Sequence, residues 1–278
     1  MANLVLLLGG GDLGSGVALR LNRAGLRLMI AELPQPLAVR RLVSFAEAVY
    51  AGQITIEGVT ARHVENLTQA FSILELGQIP VLTIAWQDIL LGLNSSFSAP
   101  RFSLNIFIDG RMTKRSPEYS LEVAPLVIGL GPGFVAGENC HTVIETQRGH
   151  YLGRAIWRGP AQADSGIPES VAERTVERVL RAPVDGVFHT LAAIGDHLDP
   201  GQVTGEVAGQ GVIAPFAGVL RGLLHSGIAV ERNAKVGDLD PRDDLRYCTL
   251  VSDKALAVGG GALEAILTDP GLRRQLWD

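Results

Sequence analysis

The chain is short of cysteine, of excess positive charge and of long apolar runs. Two cysteines among 278 residues, Cys140 and Cys248, are too few for a disulfide framework. The opening Met1-Ala2-Asn3 lacks the basic stretch of an export signal, so the sequence reads as cytoplasmic, with reduced thiols. No apolar run approaches membrane-spanning length, and no membrane partner is expected. The net charge is −5, whereas a non-specific nucleic-acid binder carries an excess of basic residues, so no nucleic-acid partner is expected either. Glycine, by contrast, is plentiful, with 33 residues. They gather in short loops between apolar segments, which points to turn chemistry and away from flexible linkers.

The first such loop carries the most information. Leu4-Val5-Leu6-Leu7-Leu8 is a continuous apolar run, as expected of a strand buried on both faces. Gly9-Gly10-Gly11-Asp12-Leu13-Gly14 follows, and then Val17-Ala18-Leu19-Arg20-Leu21 with helical spacing, stopped by Gly25. Gly9, Gly11 and Gly14 fit the G-x-G-x-x-G pattern. In that pattern the first glycine permits a tight turn, the second lets a pyrophosphate approach the backbone, and the third lets helix and strand pack closely. A second strand, Arg27-Leu28-Met29-Ile30-Ala31, ends at Glu32, where a ribose-binding carboxylate belongs. Gly9, Gly10, Gly11, Asp12, Leu13, Gly14 and Glu32 are therefore candidate cofactor-binding residues. The alternative is that the glycines serve packing and that Glu32 is a solvated strand end. Arg40 and Arg41, on a short helix beyond, either hold a phosphate or form a solvated face.

Further strands are expected at Ile54-Thr55-Ile56, Val81-Leu82-Thr83-Ile84 and Ser103 to Ile108. Ligands of open α/β sheets gather at the carboxyl ends of strands. Asp109, Arg111 and Lys114 are thus candidates for a charged lip, with Arg111 taken as a cofactor-binding residue; the alternative is an exposed basic loop. Leu126-Val127-Ile128-Gly129-Leu130 opens into a second glycine loop, where Gly131 and Gly133 flank Pro132. Glycine-rich turns can form anion-binding nests, and Gly131 and Gly133 join the candidates. Glu145, Arg148 and His150 cluster at the end of a strand expected over Thr142 to Thr146. They are the candidate catalytic residues, supplying acid–base and anion-binding chemistry, with a satisfied structural hydrogen-bond network as the rival reading of each. Adjacent residues on a strand face opposite ways, so Cys140-His141 is no metal pair, and no metal site is expected.

An internal repeat of 32 residues aligns Ala182-Pro183-Val184-Asp185-Gly186-Val187 with Ala214-Pro215-Phe216-Ala217-Gly218-Val219. Each copy is a short β unit unable to bury its apolar face alone. The Ala-Pro-x-x-Gly openings and Gly195-Asp196 resemble biotinyl and lipoyl carrier domains, which implies a barrel-sandwich hybrid. That family's modified lysine sits in the turn between the halves. Here the turn, Ala208-Gly209-Gln210-Gly211, has no lysine, so no covalent biotin or lipoate is expected. From Ser252 onward the sequence reads as a capped helix. At Gly259-Gly260-Gly261 the helix either breaks or approaches another backbone closely.

Several longer strings resemble the accessory protein family of the selenium-dependent molybdenum hydroxylase system. This family is related, in its nucleotide-binding part, to xanthine dehydrogenase accessory proteins. The strings are Gly-Asp-Leu-Gly-Ser-Gly-Val-Ala at 11–18, Glu-Leu-Pro-Gln-Pro at 32–36, Ser-Phe-Ala-Glu-Ala-Val-Tyr at 44–50, Gly-Leu-Gly-Pro-Gly-Phe at 129–134, Ile-Glu-Thr-Gln-Arg-Gly-His at 144–150 and Lys-Val-Gly-Asp-Leu-Asp-Pro-Arg at 235–242. The resemblance implies a maturation factor that binds molybdenum cofactor, as molybdopterin or its dinucleotide. Its implied partner is a molybdenum hydroxylase apoenzyme or another maturation factor. An NAD(P)-dependent oxidoreductase and a non-catalytic docking chaperone are the alternatives, and homo-oligomerisation stays open. The expected α/β architecture is a Rossmann-like N-terminal region over residues 1–175, a barrel-sandwich-hybrid module over 176–242 and a C-terminal helical segment over 243–278.

Overall fold

The structure, a computed structural model, describes residues 2–94, 102–164 and 176–275. The chain opens with strand β1 (Ala2–Leu8), helix α1 (Asp12–Arg23) and strand β2 (Arg27–Ala31). One helical turn, α2 (Ala48–Ala51), leads into the hairpin of β3 (Gln53–Ile56) and β4 (Val59–Val64). Then come α3 (Leu67–Glu75), β5 (Ile79–Leu82), α4 (Trp86–Asn94) and β6 (Phe102–Asp109). The next strands are β7 (Leu126–Leu130), β8 (Val135–Ala136), β9 (Thr142–Ile144), β10 (Ala155–Ile156) and β11 (Gly159–Pro160). The repeat region holds β12 (Val179–Arg181), β13 (Gly186–Thr190), β14 (His197–Leu198) and β15 (Val203–Val207). It continues with β16 (Gln210–Ile213), β17 (Gly218–Leu223), β18 (Ile228–Val230) and β19 (Lys235–Asp240). Helices α5 (Arg246–Thr249), α6 (Asp253–Thr268) and α7 (Pro270–Gln275) follow.

Contacts divide the chain into two units. The first comprises Met1–Pro36, Phe45–Asp164 and Val251–Asp278, and the second Leu37–Ser44 and Ser165–Leu250. These limits differ from the three consecutive segments expected, and the boundary after residue 175 lies outside the described residues.

The first unit is built on a nine-stranded sheet of order β10-β9-β7-β6-β1-β2-β5-β4-β3. The strands from β9 to β4 run parallel, and the two edge strands, β10 and β3, run antiparallel to their neighbours. Leu4, Leu6, Leu7 and Leu8 are fully buried or nearly so, as expected of a central strand with both faces covered. Leu4, Leu6 and Leu8 pack with Ala70 and Leu74 of α3, Ile89 of α4 and Phe107.

This architecture corrects the expected fold class. The sheet is large and mixed, and it belongs to no self-standing Rossmann-like N-terminal domain. The reason lies in the connections. Between β6 and β10 the described chain contains strands and one 3-10 turn, and no crossover helix. The face over β7, β9 and β10 is covered instead by α6, from the far end of the chain. The C-terminal helix is therefore part of the first unit and not an appended segment.

Small residues make that arrangement fit. α1 and α6 cross with their backbones in near contact. A methyl group added to Gly259 would meet the Gly16 carbonyl oxygen at 2.5 Å, and one added to Gly16 would collide with the Ala255 carbonyl. The three-glycine run does not break α6, which is continuous from its cap, where Ser252 Oγ accepts the Ala255 N–H at 3.1 Å.

The second unit holds two four-stranded antiparallel sheets, β12-β19-β17-β14 and β16-β15-β13-β18. They stand in place of the expected barrel-sandwich hybrid. Gly186 opens β13 and Gly218 opens β17, while Val203 opens β15 and Lys235 opens β19. The 32-residue offset thus maps one sheet onto the other, and each sheet draws strands from both copies. Phe188, Val207, Leu220 and Leu239 are buried together in one core. Arg40, with its guanidinium donating to the Tyr247 and Leu250 carbonyls, and Arg41, donating to the Leu223 carbonyl at 2.6 Å, tie residues 37–44 into this unit. These are structural bonds to carbonyl oxygens.

The α1–α6 contact gives opposite signs to two neighbouring substitutions. Alanine normally stabilises a helix relative to glycine by up to about 1 kcal/mol. Gly260, with open space where a methyl would go, should gain about that much as Gly260→Ala. Gly259→Ala should instead lose about 1–3 kcal/mol through overpacking. Urea unfolding midpoints of the two variants test this, and equal shifts would show that the crossing tolerates a methyl.

Candidate functional site

The parallel strands deliver Gly9, Glu32, Asp109, Gly131 and Glu145 to the carboxyl edge of one sheet. The first glycine loop there is held by a dense set of bonds. Gly9 adopts φ +87°, a left-handed conformation that favours glycine, and its N–H donates to the Ala31 carbonyl at 2.9 Å. Gly14 lies directly on the Gly9 carbonyl, where any Cβ would collide. The Gly10 carbonyl accepts from Ser15 Oγ at 2.8 Å and from the Ala46 N–H at 2.9 Å. Ser15 Oγ accepts in turn from the Phe45 N–H at 2.7 Å. Glu32 is neither a free ribose ligand nor a loosely solvated strand end. Its two carboxylate oxygens accept the Gly10 and Leu33 N–H groups, each at 2.7 Å.

Gly11 differs from its neighbours. Its backbone is extended, with φ −68° and ψ −171°, and a Cβ built on it meets nothing within 4 Å. Neither conformation nor internal packing asks for glycine there. Gly11 is the N-cap of α1 and supplies no side-chain cap. Because Gly11 caps α1, the opening N–H groups of the helix have no acceptor in a preceding helical turn. The Asp12 carboxylate brings negative charge to this same end.

Beside this loop, Arg111 backbone atoms lie 3.2 Å from the position of a Gly9 Cβ. The Arg111 guanidinium is engaged with two carboxylates, Asp109 at 2.7 Å and Glu118 at 2.7 Å. Asp109 is buried and also accepts the Tyr119 hydroxyl at 3.1 Å. Tyr119, Trp86 and Phe107 pack edge to face around it. Burial and the Asp109 charge raise the Tyr119 hydroxyl far above its usual range. Bonding to Arg111 holds the Glu118 carboxyl below its usual value. Lys114 leaves this group and pairs with Asp164 at 2.5 Å.

In the second glycine loop, internal packing accounts for both glycines. Cβ atoms at Gly131 and Gly133 would strike Thr146 and the Arg115 backbone. Glu145, Arg148 and His150 do not converge. Glu145 is fully buried, and its carboxylate accepts the Thr146 and Gln147 N–H groups on one oxygen and that of Gln162 on the other, all at 2.7 Å. Arg148 pairs with Asp253 at the start of α6, at 2.5 Å. The exposed His150 ring meets the edge of Tyr151. Cys140 is buried, which pushes its thiol up to about 12, and His141 Nδ1 accepts the Val127 N–H at 2.9 Å. No group of three or more His, Cys, Asp or Glu among the described residues could hold a metal ion.

Sequence reasoning missed Ser15, the Phe45–Ala46 amides and Tyr119. Ser15 had a signal, since a hydroxyl in the first turn of the helix can reach back to the loop. The others meet the loop only through the tertiary fold. A cavity of about 200 Å³ lined by Asn22, Arg27 and Gln78 lies where β2 begins, away from these residues.

No family model matches the sequence. Over 264 residues the chain is 40% identical to an uncharacterized protein of Escherichia coli K12, YqeB. The match covers 95% of this chain and 47% of YqeB, so the chain spans about half the length of that relative. Among solved structures, an aspartoacylase family protein of Mesorhizobium loti aligns over 86% of this chain and 84% of its own, with 11% identity and a TM-score of 0.25. A succinylglutamate desuccinylase/aspartoacylase of Rhodobacter sphaeroides aligns over 88% of both chains, with 15% identity and a TM-score of 0.25. Scores of this size do not mark a shared fold. No described helix is long and apolar enough to cross a membrane.

Glu145 acts here as a brace for backbone amides. Glu145→Gln turns an acceptor into a donor facing a buried N–H, and should lower unfolding free energy by about 1–3 kcal/mol. His150→Ala, at an exposed position, should change it by less than about 0.5 kcal/mol. Chemical denaturation distinguishes the two, and a neutral Glu145→Gln would remove the brace.

Proposed function

We propose that the first unit binds a pyrophosphate-containing ligand against Gly11 and the opening amides of α1. We take that ligand to be molybdenum cofactor in its dinucleotide form, which carries the pyrophosphate, handled during maturation of a selenium-dependent molybdenum hydroxylase. The observation that carries the binding site is Gly11, a glycine whose missing side chain leaves open space at a helix start, with no internal reason for being glycine. When bound, the ligand brings a phosphate anion, and donors fixed in advance lose little entropy on binding it. The maturation role rests on the sequence strings at 11–18, 129–134, 144–150 and 235–242. A cytoplasmic location belongs to this reading and is supported by two buried, unpaired cysteines. The partner is then the hydroxylase apoenzyme or a second maturation factor.

Arg111 enters as a secondary contact. Its buried bond to Asp109 is fixed, while its bond to the half-exposed Glu118 is of the kind that contributes about 0–1 kcal/mol and exchanges readily.

Thermal unfolding with molybdopterin dinucleotide, NAD, NADP or FAD in excess tests the reading. A ligand at about 100 times its dissociation constant adds roughly 2.7 kcal/mol to stability. Gly11→Val should abolish the shift produced by the molybdopterin ligand while leaving the unliganded midpoint within a few degrees. A shift with NAD or NADP alone would replace this reading with an oxidoreductase. No shift with any ligand would leave the docking chaperone.

A further inference from the structure

The 32-residue repeat allows the two sheets of the second unit to be compared position by position, and their outer faces differ. On the β13 and β15 side stand Val187, His189 and Glu206. The same places on β17 and β19 are taken by Val219, Arg221 and Asp238. The chemistry is alike: a valine, a base and an acid. The environments are not. Val219, Arg221 and Asp238 are 2%, 9% and 0% exposed, because the unit's own chain covers them. Arg178 pairs with Asp238 at 2.7 Å, α5 packs on β17, and the Val39 carbonyl accepts the Leu223 N–H at 2.8 Å. Nothing among the described residues covers the other face. Val187 is 42% exposed, His189 is exposed, and Glu206 is half-buried.

The bare sheet also departs from its twin in one direction. Where β19 and β12 carry Lys235 and Arg181, the bare sheet carries Val203 and Ile213. These two are paired in register and are 43% and 54% exposed. An apolar row where the covered twin has charges marks an interaction surface.

We propose that this face, centred on His189 and Glu206, is the two-fold interface between two copies of the chain. Charge complementarity selects a second copy as the occupant. His189 and Glu206 lie directly opposite each other on adjacent strands, so the face carries one base and one acid side by side. A two-fold axis parallel to the strands and midway between them sets each His189 over Glu206 of the second copy. The same operation stacks sheet on sheet, the usual way for two half-bare sheets to bury apolar rows.

Light scattering over a concentration series, with the full chain, reads this out. The wild type should reach twice the chain mass of 29.5 kDa. Val203→Asp combined with Ile213→Asp should remain at 29.5 kDa over the same range, with an unchanged circular dichroism spectrum. His189→Glu should raise the dissociation constant at least about tenfold through like-charge apposition. Adding Glu206→Arg should restore it, an outcome that general stickiness would not give. A wild type of single-chain mass at every concentration would overturn the proposal. So would a dimer indifferent to the valine and isoleucine replacements, or a charge-reversed pair that fails to recover.

Discussion

The backbone contact between α1 and α6 is the constraint on which the first unit depends. Gly16 and Gly259 let two helices from opposite ends of the sequence lie against each other without intervening side chains. One of them, α1, stands behind the glycine loop. The other covers strands that have no crossover helix of their own. Gly153, whose added Cβ would meet the Ala257 carbonyl at 2.6 Å, and the Arg148–Asp253 pair fasten the loop after β9 to the same helix. The carboxyl edge is therefore held from two sides by one late element.

At that edge, most polar groups are committed to structure. Glu32 braces Gly10, Glu145 braces three amides, and Asp109 holds Arg111 and Tyr119. Carboxylates in these roles bring negative charge close to where an anion would bind, and only part of it is offset by Arg111. On the proposed reading, recognition of a phosphate falls to the backbone N–H groups of the helix start, where Asp12 adds a further negative charge. Donors that carry no net charge must be well placed to be effective, and the loop's internal bonds fix it in place.

What the sequence made legible follows the same division between local and long-range causes. The strand Leu4–Leu8, the turn at Gly9, the helix ended by Gly25 and the second strand are all recoverable, because each is set by neighbouring residues. The repeat was legible as an offset of 32, since strand pairing preserves the spacing. The helical run at 253–268 was legible too, but not its partner. A glycine triplet says that something approaches closely, and only the fold identifies α1. Glu145, Arg148 and His150 looked like one site because six residues contain them. Their side chains diverge because the strand ends at Ile144, and the turn beyond sends each toward a different part of the unit. Arg40 and Arg41 carried no local sign that their partners were carbonyls some 200 residues away.

The second unit shows how far a duplicated sequence can separate its two halves. Arg221 and Asp238 are buried together, and burial by itself raises the Asp238 carboxyl. Lys235, Arg221 and Arg178 outweigh that effect and hold it below its usual range. Such a cluster is costly to assemble unless every member is paired, and the covering segments supply the missing partners. His189 and Glu206 stand opposite each other on adjacent strands of the more exposed face, where a base and an acid in water contribute little to each other. Covering that pair would demand partners of the same kind. The two faces are thus alike in sequence position and unlike in cover, and the exposed valines and isoleucine lie on the one that is the less covered among the described residues.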